Sequence, residues 1–278
     1  MLSTLKRKMR EVIRYQSALG SRSAEVLDTL RRIETRLEPP AGPPVSASYA
    51  IEAEDLVLER LLNVFVFGFE WREGRYIDIG AHHPVSHSNT YRLYLRGWRG
   101  VCVEPNPRFA EDFATLRPRD VFLNAGISAE ASRLTYHQFD DPLINGFFGE
   151  EVVAGLSRAG KTLLGSVEVP CLGIRDFLAV HGGAVDVVNI DIETQDAQVL
   201  AAWDWGLCRP AIICAEVPIT RIADALRGDI AGILGKAGYS LVSKVWQSAF
   251  FVADEHLDRF AATSEWAPSV QDAASPTG

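Results

Sequence analysis

Tyr76-Ile-Asp-Ile-Gly-Ala-His-His-Pro-Val85 is the stretch on which the fold turns. Its first four residues form a short apolar run that carries no helical period and reads as a strand, and Gly80 then lets the backbone leave sharply and approach a ligand closely. Outward from this point, short β-branched runs alternate with helical stretches, the pattern of a parallel sheet wrapped by helices. Strands are predicted over 76–79, 100–103, 121–124, 185–190, 211–215, 239–245 and 248–253. Helices are predicted over 50–63, 88–96, 107–116, 174–180, 195–203 and 220–236. The last two strands are joined too closely to be parallel, so the sheet ends in an antiparallel hairpin.

In open α/β sheets ligands bind beyond the carboxyl ends of the strands, so the residues closing each strand are the candidates. The first strand ends on Asp78, Gly80 and Ala81, with a carboxylate able to face a cationic amino-acid group. Glu104 closes the second and is followed by Asn106; a carboxylate there can accept hydrogen bonds from both hydroxyls of a ribose. Asn124, Ala125 and Gly126 close the third and suit the edge of an adenine. A dinucleotide fold would need G-x-G-x-x-G at the first turn, whereas the chain has Gly80-Ala-His-His-Pro-Val85. The ribose acid without the glycine triplet points to a nucleoside cofactor that lacks a pyrophosphate.

Charge is unevenly placed along the 278 residues. The first 38 hold nine Lys/Arg and five Asp/Glu, so the overall net of −8 is concentrated in the remainder, which would repel a polyanion. That excludes nucleic acid as the expected partner of the main body. No apolar run approaches the roughly 20 residues that span a bilayer, and the N-terminus lacks a signal-peptide core, so no stable membrane insertion and a cytoplasmic location are expected. Within 1–38, Leu5, Met9, Val12, Leu19, Val26, Leu30, Ile33 and Leu37 step by heptads, with Gln16 and Ser23 in the gaps. A helix is predicted there, seeking a second copy or a partner helix through residues 5–37. Residues 39–48 read as a proline-rich linker, 49–263 as the catalytic domain and 264–278 as a flexible tail.

The run Tyr76–Thr90, the connector Arg96-Gly-Trp-Arg-Gly100 and the strand end Val103-Glu-Pro-Asn-Pro107 resemble the FkbM-type methyltransferases. That family repeats a D-I/V-G-A-N/H segment, an S-N-T turn, an R-G-W-x-G connector and E-P-N-P. Its D-V-E-G-x-E element is similar to Asp191-Ile-Glu-Thr-Gln-Asp196, and its acid after strand five matches Glu216; Thr194, Gln195 and Asp196 depart from the usual residues. The resemblance, over about 75–253, implies a Rossmann-like class I methyltransferase: an α/β fold with a mostly parallel seven-stranded sheet and a C-terminal antiparallel hairpin, preceded here by the N-terminal helix. It implies S-adenosylmethionine as cofactor, with Asn89 of the S-N-T turn joining the cofactor-binding set, and O-methylation of a sugar, glycan or secondary metabolite. The competing reading is a non-catalytic module that assembles with a partner through the N-terminal helix.

Methyl transfer to a hydroxyl needs alignment and a base. Asp191 and Glu193, two residues apart on an extended strand end, can face the crevice together, and they are the expected pair: Asp191 orienting cofactor or acceptor, Glu193 assisting deprotonation, unless one of them caps the helix that follows. His82 is the alternative base, from a loop that also holds His83 and His87. Asp191, Glu193 and Glu216 could converge on Mg²⁺, but a metal-free site is the expectation. Gly155–Thr162 matches G-x-x-x-x-G-K-T literally; the stretch after Thr162 is extended instead of helical, so a phosphate loop is not expected. Residues 139–166 read as an inserted loop or lid whose Asp140, Asp141, Asn145 and Phe147 could meet the acceptor. The four cysteines are scattered and read as small core residues.

Overall fold

The computed structural model describes residues 47–263 apart from Thr194. The chain divides into two units, Met1–Ala47 and Ser48–Gly278. The heptad helix, all but the last two residues of the 39–48 linker and the 264–278 tail lie outside the described residues.

Ten strands follow in chain order: β1 Arg75–Ile79, β2 Arg99–Val103, β3 Val121–Leu123, β4 Gly126–Ser128, β5 Ser132–Phe139, β6 Leu163–Gly173, β7 Val187–Ile190, β8 Ile212–Glu216, β9 Tyr239–Val245 and β10 Ser248–Ala253. Seven make one sheet in the order β3-β2-β1-β7-β8-β10-β9, and the other three a small sheet, β4-β6-β5. In the large sheet β3, β2, β1, β7 and β8 run parallel, while β10 pairs antiparallel with both β8 and β9. This is the seven-stranded Rossmann-like architecture of class I methyltransferases, with each sequence-predicted strand in place.

Alternate side chains divide the core between the two faces, as both faces of a parallel sheet must be covered. Ile77, Ile79, Val101, Val188 and Ile213 face one layer, built on α5 (Ile174–His181), α6 (Asp196–Ala201) and α8 (Asp229–Lys236). Tyr76, Cys102, Val187, Ile212 and Cys214 face the other, built on α1 (Glu54–Leu61), α2 (Tyr91–Leu95) and α3 (Ala110–Leu116). All four cysteines are free and buried, as expected of small core residues.

Three details differ from the sequence reading. The single helix expected over 220–236 is broken into α7 (Ile222–Ala225) and α8, with the extended Gly228 between them (φ −73°, ψ 164°). The first helix ends as a π turn over Leu62–Val66. The stretch expected to be a loop between β5 and β6 carries a 3₁₀ turn, Pro142–Ile144, and α4, Glu150–Arg158. The P-loop-like string falls on the end of α4 and the turn before β6, and Lys161 Nζ pairs with Asp141 at 2.9 Å, so a strand and not a helix follows the string.

Beneath the crevice end of β1 lies a buried ion pair. Arg117 Nε meets Asp120 Oδ2 at 2.7 Å, and both side chains are fully buried. The same guanidinium donates to Tyr76 Oη, Thr90 Oγ1, Ser88 Oγ and the Pro84 carbonyl at 2.8–3.3 Å. Asp120 also accepts from the Gly100 amide at 2.8 Å and from Tyr76 Oη at 2.7 Å. Thr90 Oγ1 passes the network on to Asp78 Oδ2 at 2.5 Å. Burial opposes the arginine's charge, and Cys102, Tyr76, Asp120 and Asp78 around it outweigh that cost. Removing one partner of such a pair leaves an uncompensated buried charge. Arg117→Met is therefore expected to lower stability by about 3–5 kcal/mol in urea denaturation, and Arg117→Lys to recover only part of it, because lysine lacks the planar fork.

Candidate active site

Reversal of strand order between β1 and β7 opens a crevice at their carboxyl ends, the switch point where α/β sheets bind ligands. Gly80 sets its shape. It sits at φ +81°, and a Cβ there would stand 1.7 Å from the Asp191 carbonyl, so only glycine lets the exits of β1 and β7 touch. The amides of Gly80 and Ala81 both donate to the Val103 carbonyl, at 2.9 and 3.1 Å, which turns the chain across β2. His82 follows at φ +50°, and its amide donates to Glu104 Oε2 at 2.9 Å.

A cavity of about 500 Å³ fills the crevice. On one side it is lined by Asp78, Gly80, Ala81, His82, Asn89, Glu104, Ala125 and Gly126, which brings together most of the expected cofactor contacts. The Glu104 carboxylate is fixed by two backbone amides, those of His82 and Asn106, and burial pushes its pKa up to about 7. Asn106 and Asn124 are not among the lining residues. Asn106 Oδ1 accepts from the Arg108 amide and caps the following turn, and Asn124 Nδ2 donates to the carbonyls of Glu104 and Pro105 at 2.9 and 3.0 Å. Both brace the loop that carries Glu104.

Asn189 is a lining residue that the sequence reading passed over. Its Nδ2 donates to Asp78 Oδ1 at 2.9 Å and its Oδ1 accepts from Asn89 Nδ2 at 3.0 Å, tying β7 to β1 and to the turn before α2. A polar residue inside the apolar run Val185–Ile190 was the available signal. Tyr136 of β5 was invisible to that reading; it lines the cavity and faces Glu104 and Asn145.

The opposite wall is acidic. One carboxylate oxygen from each of Asp191, Glu193 and Glu216 lies within 4.8 Å of the others, a grouping that could hold a hard divalent cation. Asp191 is open to the crevice by surface area yet densely surrounded by protein. Burial, followed by repulsion from Glu216, Asp78 and Glu54, raises its pKa to about 7. Glu193, at φ +52°, is raised to about 7 by burial and then by Asp191. Glu216 reaches about 7 by burial and by Glu193, opposed by Lys244. The three titrate as a coupled set. Among the described residues no hydrogen bond from an α6 amide to the Asp191 or Glu193 carboxylate is present, and the N-cap Gln195 makes no side-chain cap.

His82 differs from the base expected of it. Both ring nitrogens are buried without a partner, and burial together with His87 and His83 lowers its pKa to about 4. A neutral imidazole of that acidity is a weak base and a good hydrogen-bonding group for a bound ligand. His83 Nδ1 accepts from the amides of Val85 and Ser86 and so organises the loop. Among the described residues the histidines form no metal-like cluster.

The mouth is shaped by the segment between β5 and β6, with Asp141, Leu143, Asn145 and Phe147, and by Ile51 and Gln247 from elsewhere in the chain. Asp140 instead accepts from the Thr162 amide. Gln247 Nε2 reaches Glu216 Oε1 at 3.4 Å, and the Val217 amide donates to the Gln247 carbonyl at 2.6 Å, so the turn between β9 and β10 is anchored against the acidic wall.

Comparison with known proteins follows the same lines. The model of the methyltransferase FkbM domain matches residues 78–241. Among solved structures, the methyltransferase FkbM of Methylobacillus flagellatus KT aligns over 68% of this chain and 47% of its own at 13% identity, with a TM-score of 0.38. The chain thus spans about half the length of that protein. Fibrillarin of Aeropyrum pernix, solved with natively bound S-adenosyl-L-methionine, aligns over 64% of this chain and 65% of its own at 12% identity and a TM-score of 0.36. The 1,6-didemethyltoxoflavin-N1-methyltransferase of Burkholderia thailandensis, solved with S-adenosylhomocysteine, gives 73%, 77%, 12% and 0.37 for the same measures. No curated protein matches the chain.

The acidic wall predicts a stability that depends on pH. A carboxyl whose pKa is higher folded than unfolded binds more protons in the native state, so folding loses stability as pH rises from about 4.5 to about 7. Glu193→Gln removes that loss. The variant is expected to melt higher than the parent at pH 8, by on the order of 1 kcal/mol or about 2–4 °C, and to match it at pH 4; calorimetry at the two pH values measures the difference.

Proposed function

The chain belongs to the FkbM methyltransferase family, and on that premise we propose that it methylates a hydroxyl of a sugar, glycan or small secondary metabolite with S-adenosylmethionine as donor. The observation that carries this reading is Glu104, buried, held by two backbone amides and aimed into the cavity beside the Gly80 crossing. A carboxylate so placed accepts from two vicinal hydroxyls at once. The chemistry of the other donors fits the same cofactor. Asp78 and Asp191 offer negative charge to an ammonium and a sulfonium, Ala125 and Gly126 line the cavity with the Phe147 ring packed against Gly126, and the unpartnered nitrogens of His82 await a polar ligand.

When bound, the cofactor supplies a methyl group made electrophilic by its sulfonium. The chain's own residues do the rest. Glu104 orients the nucleoside end, and Asp78, held by the Asn89–Asn189 chain, the ammonium end; Asp191 stands between cofactor and acceptor; Glu193 takes the proton from the acceptor hydroxyl. A base is most effective with a pKa near the working pH, and about 7 is where the acidic wall places Glu193. Leu143, Phe147 and Ile51 keep water from the reacting oxygen, while Asp141 and Asn145 offer hydrogen bonds to a polyhydroxylated acceptor. The acidic body argues against a nucleic-acid acceptor. Among the described residues no helix is long and apolar enough to cross a membrane. A reducing, cytoplasmic setting is part of the proposal, supported by four cysteines that remain free. Oligomerisation through residues 5–37 is proposed from the heptad alone.

The proposal is tested with the full chain in two steps. S-adenosylhomocysteine should bind in a calorimetric titration, and Glu104→Gln should weaken it about 10–100-fold, the worth of a charged hydrogen bond. Absence of binding to folded protein overturns the reading. In a methyl-transfer screen of glycans and metabolites, Glu193→Gln should lower kcat by ~10²–10⁴-fold with the cofactor's affinity unchanged, and kcat should rise with pH through about 7. Cofactor binding without transfer to any acceptor would favour the non-catalytic module. Activity is expected to survive chelator; restoration by Mg²⁺ after its loss would assign the Asp191, Glu193 and Glu216 cluster to a cation.

A further inference from the structure

At the far end of the large sheet from the crevice, a second cleft of about 530 Å³ opens among Glu73, Gly74, Arg75, Gly97, Arg99 and Arg119. We propose that it binds the phosphate group of a small soluble molecule, through the three arginines brought there by the first residues of β1 and β2 and by the turn before β3.

The topology forces the arginines together. Arg75 and Arg99 are register partners at the start of two parallel strands, so their side chains leave the same face of the sheet at strand spacing. Arg119 completes the group from the next connection, two residues before β3. Its guanidinium lies 3.8 Å over the Tyr94 ring and donates to the Tyr94 carbonyl, which fixes it at the rim. Among the described residues Arg75 and Arg99 make no ion pair and no side-chain hydrogen bond. The acids near them are engaged elsewhere: Asp186 pairs with Arg72 at 2.6 Å and accepts from the Arg75 amide at 3.0 Å, and Asp120 is held by Arg117. The cleft's own acid is Glu73, whose carboxylate rests over Gly97, where a Cβ would come within 2.3 Å of Oε1.

Three arginines therefore line a concave surface with one carboxylate among them, Arg75 and Arg99 side by side on one face, in a chain whose net charge is −8. Guanidinium forks match phosphate oxygens two at a time, and two adjacent forks are enough to grip one tetrahedral anion. Glu73 is the internal competitor. It lines the cleft, and its charge opposes that of an incoming anion. The site is separate from the methyl-transfer crevice and does not depend on that reading.

Inorganic pyrophosphate is the probe, titrated into the full chain by calorimetry at constant ionic strength. Saturable binding of one equivalent is expected. The double variant Arg75→Gln, Arg99→Gln should weaken it at least tenfold, Glu73→Gln should tighten it severalfold, and Arg227→Gln, at a distant exposed ion pair, should leave it unchanged. All the substituted residues are exposed, and matched melting curves confirm that the variants fold. Failure of the parent protein to saturate at millimolar pyrophosphate overturns the proposal, and so does equal binding by the double variant.

Discussion

The guanidinium of Arg117 is buried where no water can neutralise it, and the parts of the crevice are arranged around that charge. It joins Asp120 and Tyr76 under the sheet to Ser88, Thr90 and the Pro84 carbonyl above it. Thr90 then meets Asp78, and Asp78 meets Asn189. The turn between β1 and α2, which holds Ser88, Asn89 and Thr90, has few apolar side chains with which to pack. It gains its shape from this polar network, and a network of that kind imposes one geometry only when all its members are present. The cost of burying a charge is thereby exchanged for a fixed position of Asp78 and Asn89 at the cavity wall.

The acidic wall works in the opposite sense. Asp191, Glu193 and Glu216 repel one another without a buried arginine to settle them, and Lys244 is the nearby cation acting on Glu216. Glu193 also holds a left-handed backbone conformation that favours glycine. Strain of both kinds is common where a chain holds reactive groups ready. One end of the crevice is thus stabilised by complete pairing, and the other holds carboxyls that pairing leaves unsettled.

The sheet was legible from the sequence because its strands are buried on both faces and read as short β-branched runs. The hairpin of β9 and β10 followed from a connection too short for anything else. The crossing at Gly80 and the carboxylate of Glu104 were legible because they close strands. Asn106 and Asn124 were assigned to the ligand, since sequence position gives the end of a strand but not the direction of a side chain; both turn back to brace the Glu104 loop. Arg117 and Asp120 left no pattern at all. Their significance lies in partners from Tyr76 to Gly100, brought near only by folding. Tyr136 and Gln247 reach the cavity for the same long-range reason. The break before α8 was missed because Ile222 and Ile230 keep an apolar rhythm through a residue, Gly228, that leaves the helix.

The small sheet β4-β6-β5 has a consequence for how such a protein changes over generations. Its strands pair with one another and not with the large sheet, and the segment that β5 and β6 carry forms much of the cavity mouth. Substitutions or insertions between Phe139 and Leu163 can thus reshape what enters the crevice while the hydrogen-bond ladder under Asp78 and Glu104 is untouched. Change can act on the two walls of the cavity separately: Asp78, Gly80, Glu104 and Asp191 sit at the ends of the parallel strands, whereas residues 140–162 place no side chain in either buried core cluster and can vary without repacking the sheet.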